Sequence, residues 1–218
     1  MVSEELILRQ YEAVKQRFPK LLQPKRTGDI LEIEGSIDVI DDEGSFWDTY
    51  QVKIIVPDKF PDQLFELHET GNKIQKGAEW HNNDSCCLST NAVMFSEMVG
   101  NITLLNWLDK FAYPFLANHV FKVKTGHYAN EEFDHGNAGI IQGYFKVFRT
   151  NNLSQVLEKL KLITGIKSLG RNDPCFCNNG KKYKQCFLID PKKHSPGIPI
   201  SILQSDLNQI LGHIQKKR

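Results

Sequence analysis

Three cysteines near the C-terminal end of the chain are spaced closely enough to bind one metal ion together. They are Cys175, Cys177 and Cys186, in a segment rich in Asn, Gly and Lys and poor in aliphatic residues. Zinc prefers about four ligands in tetrahedral geometry and binds thiolates well. A segment of this composition cannot build a hydrophobic core and needs a crosslink to hold its fold. We therefore predict a zinc site here in preference to three free surface thiols.

A second group of reactive residue types lies between positions 80 and 89, with the sequence WHNNDSCCLS. Cys86 and Cys87 follow His81 and Asn83 on a stretch without helical or strand periodicity. A nucleophilic cysteine needs thiolate character and donors for the charge that develops on an attacked carbonyl. The spacing does not fix a contact between His81 and either thiol. The residues alone leave two interpretations open, a nucleophilic thiol or a buried cysteine pair that packs the loop.

The composition indicates which environment these cysteines experience. The chain has 218 residues, 40% hydrophobic and 24% charged, with a formal net charge of +1. These values are typical of a globular protein without a strong field for nucleic acid or membranes. No apolar run reaches the ~20 residues that span a bilayer, and the N-terminal residues lack signal-peptide features. We expect a cytoplasmic protein, in which clustered cysteines serve metal binding or catalysis rather than disulfides.

Hydrophobic periodicity predicts the elements that position these residues. Residues 3–18 have the period of an amphipathic helix, and residues 30–40 and 46–56 alternate as half-buried strands do. A short strand is predicted at 64–69, an irregular stretch at 71–91, and a helix at 103–120 that Pro114 kinks or splits. Further helices are predicted at 153–163 and near the C-terminus, from about 198 to 218.

The basic run Lys181, Lys182 and Lys184 is interpreted as a solvated face.

The segment from Gly170 to Cys186, GRNDPCFCNNGKKYKQC, resembles the SEC-C motif of many bacterial proteins. The resemblance implies a bound zinc ion and a docking or stabilising role. In that motif the fourth ligand, Cys or His, directly follows the last cysteine, whereas this chain has Phe187 there. A displaced ligand, with His194 as the nearest candidate, would complete the site. A site with three protein ligands and a degenerate site are the alternatives.

The order of elements and motifs around Cys87 resembles the ubiquitin-conjugating enzyme (UBC) family. A helix, an antiparallel meander and a Pro57-to-Pro61 turn precede His81-Asn82-Asn83, which stands for the family's His-Pro-Asn motif. Residues 85–88, Ser-Cys-Cys-Leu, correspond to the family's small-x-Cys-Leu and favour Cys87 over Cys86 as the nucleophile. The resemblance implies an α+β, UBC-like fold: an N-terminal helix, a four-stranded antiparallel meander and C-terminal helices.

The similarity extends to bacterial members of this superfamily from antiphage operons that encode a cGAS-like nucleotidyltransferase. It rests on the Trp-His-x-Asn and Cys-Leu residues and on two later stretches, Gly126-His-Tyr128 and His135-Gly-Asn-Ala-Gly-Ile140. By this resemblance Cys87 forms a thioester with the C-terminal tail of that partner and transfers it to an amine of a target protein. Asn83 would stabilise the oxyanion, and His81 would shape the loop. His135 is an additional candidate near the site.

No Gly-rich nucleotide-binding motif follows a strand, so an activating module is not expected within this sequence. Two other functions stay open: a non-catalytic UBC-fold binding module that docks through its zinc knuckle, and a cysteine peptidase in which His81 or His135 activates Cys87.

The predicted domains are 1–165 (UBC-like), 166–196 (zinc knuckle) and 197–218 (C-terminal helix).

Overall fold

The computed structural model describes residues 4–41, 43–77, 80, 82–129, 133–177, 179–190 and 194–216. It is an α+β structure with a four-stranded antiparallel sheet and helices. Two compact units are distinguished. The first comprises Met1–Ser89 and Asn101–Glu132, and the second comprises Thr90–Gly100 and Phe133–Arg218. The predicted domain boundaries at 165/166 and 196/197 stay a prediction.

The first unit begins with α1 (Glu4–Arg17) and a meander of four strands. These are β1 (Lys25–Thr27), β2 (Ile30–Ile40), β3 (Phe46–Val56) and β4 (Glu66–Glu69), hydrogen-bonded in that order. The predictions for α1, β2 and β3 are confirmed, and β4 is two residues shorter at its start than predicted. The first strand was not predicted from periodicity, because KRT is polar and fully exposed and therefore shows no alternation.

The buried faces of β2 and β3 form the centre of this unit. Tyr50, Val52, Ile54 and Val56 alternate with more exposed residues along β3, as a strand with one covered face requires. Gly35 in β2 has a φ of 147°, and a Cβ there would lie 2.3 Å from the Lys20 carbonyl oxygen. The glycine thus lets the chain after α1 approach the sheet closely.

The stretch predicted to be irregular contains a small hairpin and the start of a helix. Strands β5 (Asn82–Asn83) and β6 (Ser85–Cys86) pair around Asp84, whose φ of 72° makes the turn. The next helix, α2 (Asn91–Glu97), was not predicted. It begins where the Thr90 side chain accepts a hydrogen bond from the Val93 backbone N–H, an ordinary N-cap.

The predicted helix at 103–120 is present and longer, with a change of pitch inside it. It comprises α3 (Leu104–Trp107), a π-helical turn (Leu108–Ala112) and α4 (Tyr113–Thr125). Pro114 lies at the start of α4 and cannot donate a backbone hydrogen bond into the preceding turn. The wider π turn directly before it is a usual accommodation of such an interruption.

The second unit is helical. It contains α2, α5 (Gly136–Phe148), α6 (Leu153–Ile163) and α7 (Ile200–Lys216), with a 3-10 turn at Tyr183–Gln185. The predicted helices at 153–163 and near the C-terminus are confirmed. Each presents an apolar stripe, and Val156, Leu160, Leu203, Leu207 and Ile210 are fully buried. Across the described ranges, no helix is both long and apolar enough to cross a membrane.

Candidate functional sites

The two adjacent cysteines of the first unit differ in accessibility. Cys86 is the last residue of β6 and is buried, whereas Cys87 follows the hairpin and is exposed. Burial raises the pKa of Cys86 to about 12. Desolvation by the surrounding protein also raises the pKa of the Cys87 thiol, although the side chain reaches solvent. Of the two thiols, only Cys87 can therefore meet a large substrate without rearrangement of the loop.

The other predicted residues of this site are only partly described. His81 lies outside the described residues. Asn83 belongs to β5, where its backbone pairs with Ser85. His135 is the N-terminal cap residue of α5 in the second unit, whereas Cys87 belongs to the first. The assignments of Cys87, His81 and Asn83 to catalysis stay predictions.

The hairpin before Cys87 makes polar contacts with the sheet and with the preceding loop that sequence analysis did not find. The His68 imidazole in β4 hydrogen-bonds through Nδ1 to the carbonyl oxygen of Asp84 at 2.8 Å. The Lys76 ammonium forms an ion pair with the Asp84 carboxylate at 3.0 Å. The left-handed turn residue is thus tied to the edge strand and to the loop before the hairpin.

A buried histidine of α4 contacts Trp80, which precedes the hairpin. His119 is 4% exposed, and its Nδ1 atom is 2.7 Å from the Tyr50 hydroxyl oxygen. Its ring is 5.4 Å, centre to centre, from that of Trp80. Desolvation lowers the pKa of His119, against the opposing charges of Glu69 and Asp48. No sequence signal marked His119, because its partners come from distant strands and loops.

The second site is built on a short loop in the second unit that brings three sulfur atoms together. Pro174 and Lys182 form an isolated antiparallel bridge, and the Cys175 N–H donates to the Lys181 carbonyl at 2.9 Å. Gly180, with a φ of 76°, makes the turn between them. The chain then passes through the 3-10 turn to Cys186. This arrangement places Cys175 and Cys177 opposite Cys186.

A histidine from further along the chain completes the cluster. The Sγ atom of Cys177 lies 3.5 Å from that of Cys175 and 3.6 Å from that of Cys186. The Nε2 atom of His194 lies 3.4 Å from the Cys186 Sγ. All four ligand atoms are within 4.8 Å of one another. The structure thus brings together all four residues predicted to bind the metal.

These separations can be compared with what a zinc ion requires. Tetrahedral coordination with zinc–sulfur bonds of about 2.3 Å places neighbouring sulfur atoms about 3.8 Å apart. The observed contacts are close to that value and far longer than the ~2.05 Å of a disulfide bond. The Cys3His cluster is therefore compatible with zinc binding.

The protonation of these thiols depends on their surroundings. Burial raises the pKa of Cys177 to about 11, and its neighbouring cysteines add to the effect. At Cys186 burial opposes ionisation, but hydrogen bonds from Cys177 and Asn179 lower the pKa of the thiol. The Asn179 amide nitrogen is 2.9 Å from the Cys186 Sγ. A coordinated cation would deprotonate all three thiols, since a metal-bound thiol loses its proton.

Comparison with known proteins bears on this cluster. Part of the chain is similar to a SecA subunit. Over 47 residues, 21% of this chain, it is 54% identical to the protein translocase subunit SecA of Sulfurovum sp. (strain NBC37-1). The matched region is the SEC-C-like one and covers 5% of the SecA subunit. No family model and no solved structure matches the chain. The match and the Cys/His cluster both fit a SEC-C zinc motif.

The structure explains how this SEC-C-like segment accommodates Phe187. The Phe187 ring is stacked on Tyr183 with an interplanar angle of 8° and a centroid distance of 5.1 Å. It also contacts Phe176 and His194, at 5.3 Å from each ring centre. Phe187 is therefore a packing residue beneath the cluster, and its ring helps to orient the His194 imidazole.

Proposed function

We propose that this chain is a cysteine-dependent, ubiquitin-like conjugating enzyme of bacterial antiphage defence, with Cys87 as its nucleophile. The observation that carries the proposal is the position of the Cys87 thiol. It is exposed directly after the hairpin that joins an antiparallel meander to a helical segment, whereas the neighbouring Cys86 is buried. This order of elements is the one that the UBC-like resemblance predicts.

The proposed reaction has two steps. The Cys87 thiolate attacks the carbonyl carbon of an activated C-terminal glycine on the partner, and the activating group departs with its bonding electrons. An amine of the target protein then attacks the thioester. A C–N bond forms, the C–S bond breaks, the thiolate leaves and the amine releases a proton to solvent. Asn83 is proposed to donate to the oxyanion and His81 to shape the loop.

The proposed partner is the C-terminal tail of a cGAS-like nucleotidyltransferase, as the motifs around Cys87 and His135 suggest. An exposed thiol suits such a substrate, because a protein tail cannot reach a buried sulfur atom. Activation of the tail is assigned to a separate enzyme or to chemistry without ATP, since the sequence has no Rossmann-type nucleotide motif.

The knuckle is proposed to bind one structural zinc ion through Cys175, Cys177, Cys186 and His194. The ion would supply the crosslink that this segment, poor in aliphatic residues, cannot supply by burial. With four protein ligands the coordination shell has no open position for a substrate. We therefore assign zinc no part in the transfer reaction.

The reaction is tested by intact mass spectrometry of the full chain co-expressed with its neighbouring genes, with and without reductant. The wild type is expected to carry a partner-sized adduct that thiols remove. Cys87→Ala should lose this adduct, and Cys86→Ala, the matched control, should keep it. An adduct that persists unchanged in Cys87→Ala would exclude Cys87 as the nucleophile.

A non-catalytic binding module is the second candidate, and the raised pKa of the Cys87 thiol favours it. This function predicts that Cys87→Ala binds the partner with wild-type affinity and that neither protein forms a thioester. A cysteine peptidase would instead yield cleavage fragments with no added mass.

A further inference from the structure

The loop that leads to Cys87 is held at Trp80 by two residues of one helix. The Lys122 ammonium lies 4.3 Å from the centre of the Trp80 ring and 4.1 Å from that of Tyr128. The ring of His119, one turn earlier on α4, lies 5.4 Å, centre to centre, from that of Trp80. Because residues three apart share a helix face, α4 contacts this indole with a cation and an imidazole together.

We propose that Lys122 is a positioning residue for Cys87: its ammonium, placed between two aromatic rings, fixes Trp80 and thereby the exposed thiol. The catalytic meaning of this inference rests on the proposed function. The contact between Lys122 and Trp80, and its effect on the Cys87 thiol, do not depend on a partner protein.

The hairpin provides the mechanical link between Trp80 and Cys87. Asn82 pairs with Cys86, so the two strands come together at the end opposite the Asp84 turn. Trp80 precedes the hairpin and Cys87 follows it, both at this open end. The turn end is held to β4 by the His68 hydrogen bond, to which the exposed Lys76–Asp84 ion pair adds little. Through its contacts with Trp80, α4 therefore restrains the end of the hairpin next to the Cys87 thiol.

The contact between Trp80 and His119 supports this role. His119 is buried and hydrogen-bonded to Tyr50 of β3, so it gives the indole a rigid surface to pack against. Of the two α4 residues that contact Trp80, Lys122 is the one that carries a charge. Cation–π contacts of this geometry are strongest with tryptophan. Loss of the ammonium should thus release Trp80 without unfolding the sheet.

The test measures the rate at which iodoacetamide alkylates Cys87 in the full chain, over a series of pH values. Lys122→Met keeps an unbranched side chain one atom shorter and removes the charge. We expect it to change the alkylation rate by about fivefold, as loss of a cation–π contact of ordinary strength would. Lys122→Arg, which retains a cation that can stack on aromatic rings, should restore the wild-type rate and pH profile.

Lys124→Met is the matched control, because Lys124 makes a similar contact on the same helix with a different ring. Its ammonium lies 4.4 Å from the centre of Trp47. This variant should alkylate at the wild-type rate. A wild-type rate in Lys122→Met, or an equal change in Lys124→Met, would overturn the proposal.

A double-mutant cycle separates positioning from general destabilisation. Trp80→Leu removes the contacts with both Lys122 and His119 and should change the rate at least as much as Lys122→Met does. Lys122→Met should add no further change in the Trp80→Leu background. Additive effects would contradict a shared contact. If the Cys87 thioester forms equally fast in wild type and Lys122→Met, positioning fails while the proposed function stands. If no thioester forms but the alkylation rates differ as expected, the proposed function fails and the positioning role stands.

Discussion

The Tyr144 hydroxyl group of α5 donates a hydrogen bond to the Asp206 carboxylate of α7 over 2.8 Å, inside the helical unit. Both side chains are buried, and Tyr144 is completely so. Burial raises the pKa of Asp206, and the bond from Tyr144 partly opposes that rise. The pair is therefore a polar contact within an otherwise apolar interface between two helices.

Replacement of Tyr144 by Phe should destabilise the protein more than loss of an ordinary tyrosine hydroxyl. The change leaves a buried carboxylate without its donor, which costs about 1–3 kcal/mol or more of unfolding free energy. Tyr11→Phe is the control, because the Tyr11 hydroxyl donates to a neutral acceptor, the Leu21 carbonyl, at 2.7 Å. Urea unfolding gives both values. Equal losses would contradict a special role for the Asp206 carboxylate.

Asp206→Asn should alter the dependence of stability on pH. Because the pKa of Asp206 is raised in the folded state, its favourable contribution is complete below the unfolded pKa of about 3.9. It declines as the pH rises through the folded value, since the folded protein then binds more protons than the unfolded chain. The difference in unfolding free energy between wild type and variant should therefore change with pH above about 4. A constant difference across the acidic range would show that Asp206 does not titrate in this way.

His194→Ala should weaken zinc binding. Loss of an outer hydrogen-bond partner of a metal ligand costs about 10–100-fold in affinity, and loss of a ligand should cost at least as much. Competition with a chromophoric chelator measures the affinity, and elemental analysis gives the stoichiometry. His213→Ala, in the last turn of α7, is the control and should bind zinc normally. Unchanged affinity in His194→Ala would remove this histidine from the site.

Two glycine-to-alanine substitutions should act in opposite directions. A Cβ at Gly139 in α5 would lie 1.9 Å from the backbone oxygen of Asp134, so Gly139→Ala requires a backbone shift. We expect a loss of about 1–3 kcal/mol. A Cβ at Gly212 in α7 would meet no atom within 4 Å. There alanine should stabilise the helix by up to about 1 kcal/mol. Thermal unfolding compares both variants, and a destabilising Gly212→Ala would contradict the open environment.

Thiol labelling of the native protein should distinguish Cys86 from Cys87. Cys87 is exposed and should be alkylated, increasingly so as the pH rises, because its raised pKa leaves little thiolate near neutrality. Cys86 should react only after unfolding, since it is buried and its pKa is about 12. Peptide mapping assigns each adduct. Modification of Cys86 at the rate of Cys87 in folded protein would contradict this description of the loop.

Periodicity predicted the elements whose burial alternates and missed those without such a pattern. Strands β2 and β3 have one covered face, and their ends were predicted to the residue. The exposed β1 has no apolar side chain. Helix α2 is short, and its Ala92-Val93-Met94-Phe95 run is buried throughout, so it has no polar face to reveal its period.

The sites show a similar division. Local spacing was sufficient to predict Cys175, Cys177 and Cys186 as metal ligands, because one tight loop holds all three. His194 followed only as the nearest candidate, since the irregular segment before it carries no periodic information. The contacts of Trp80 with His119 and Lys122 depend on how α4 packs, which no local pattern in the sequence encodes.

The late position of His194 has a consequence for local opening of the chain. A ligand directly after Cys186 would confine the metal site to its own loop. With His194 as ligand, a bound metal would crosslink the chain at a position shortly before α7 begins at Ile200. The Ile198 N–H, bonded to the Ser195 carbonyl at 2.8 Å, lies between His194 and the start of α7. Its hydrogen–deuterium exchange should accelerate on chelation, whereas amides of the β2–β3 ladder should keep their protection. Metal occupancy would then set how often the segment between His194 and α7 opens.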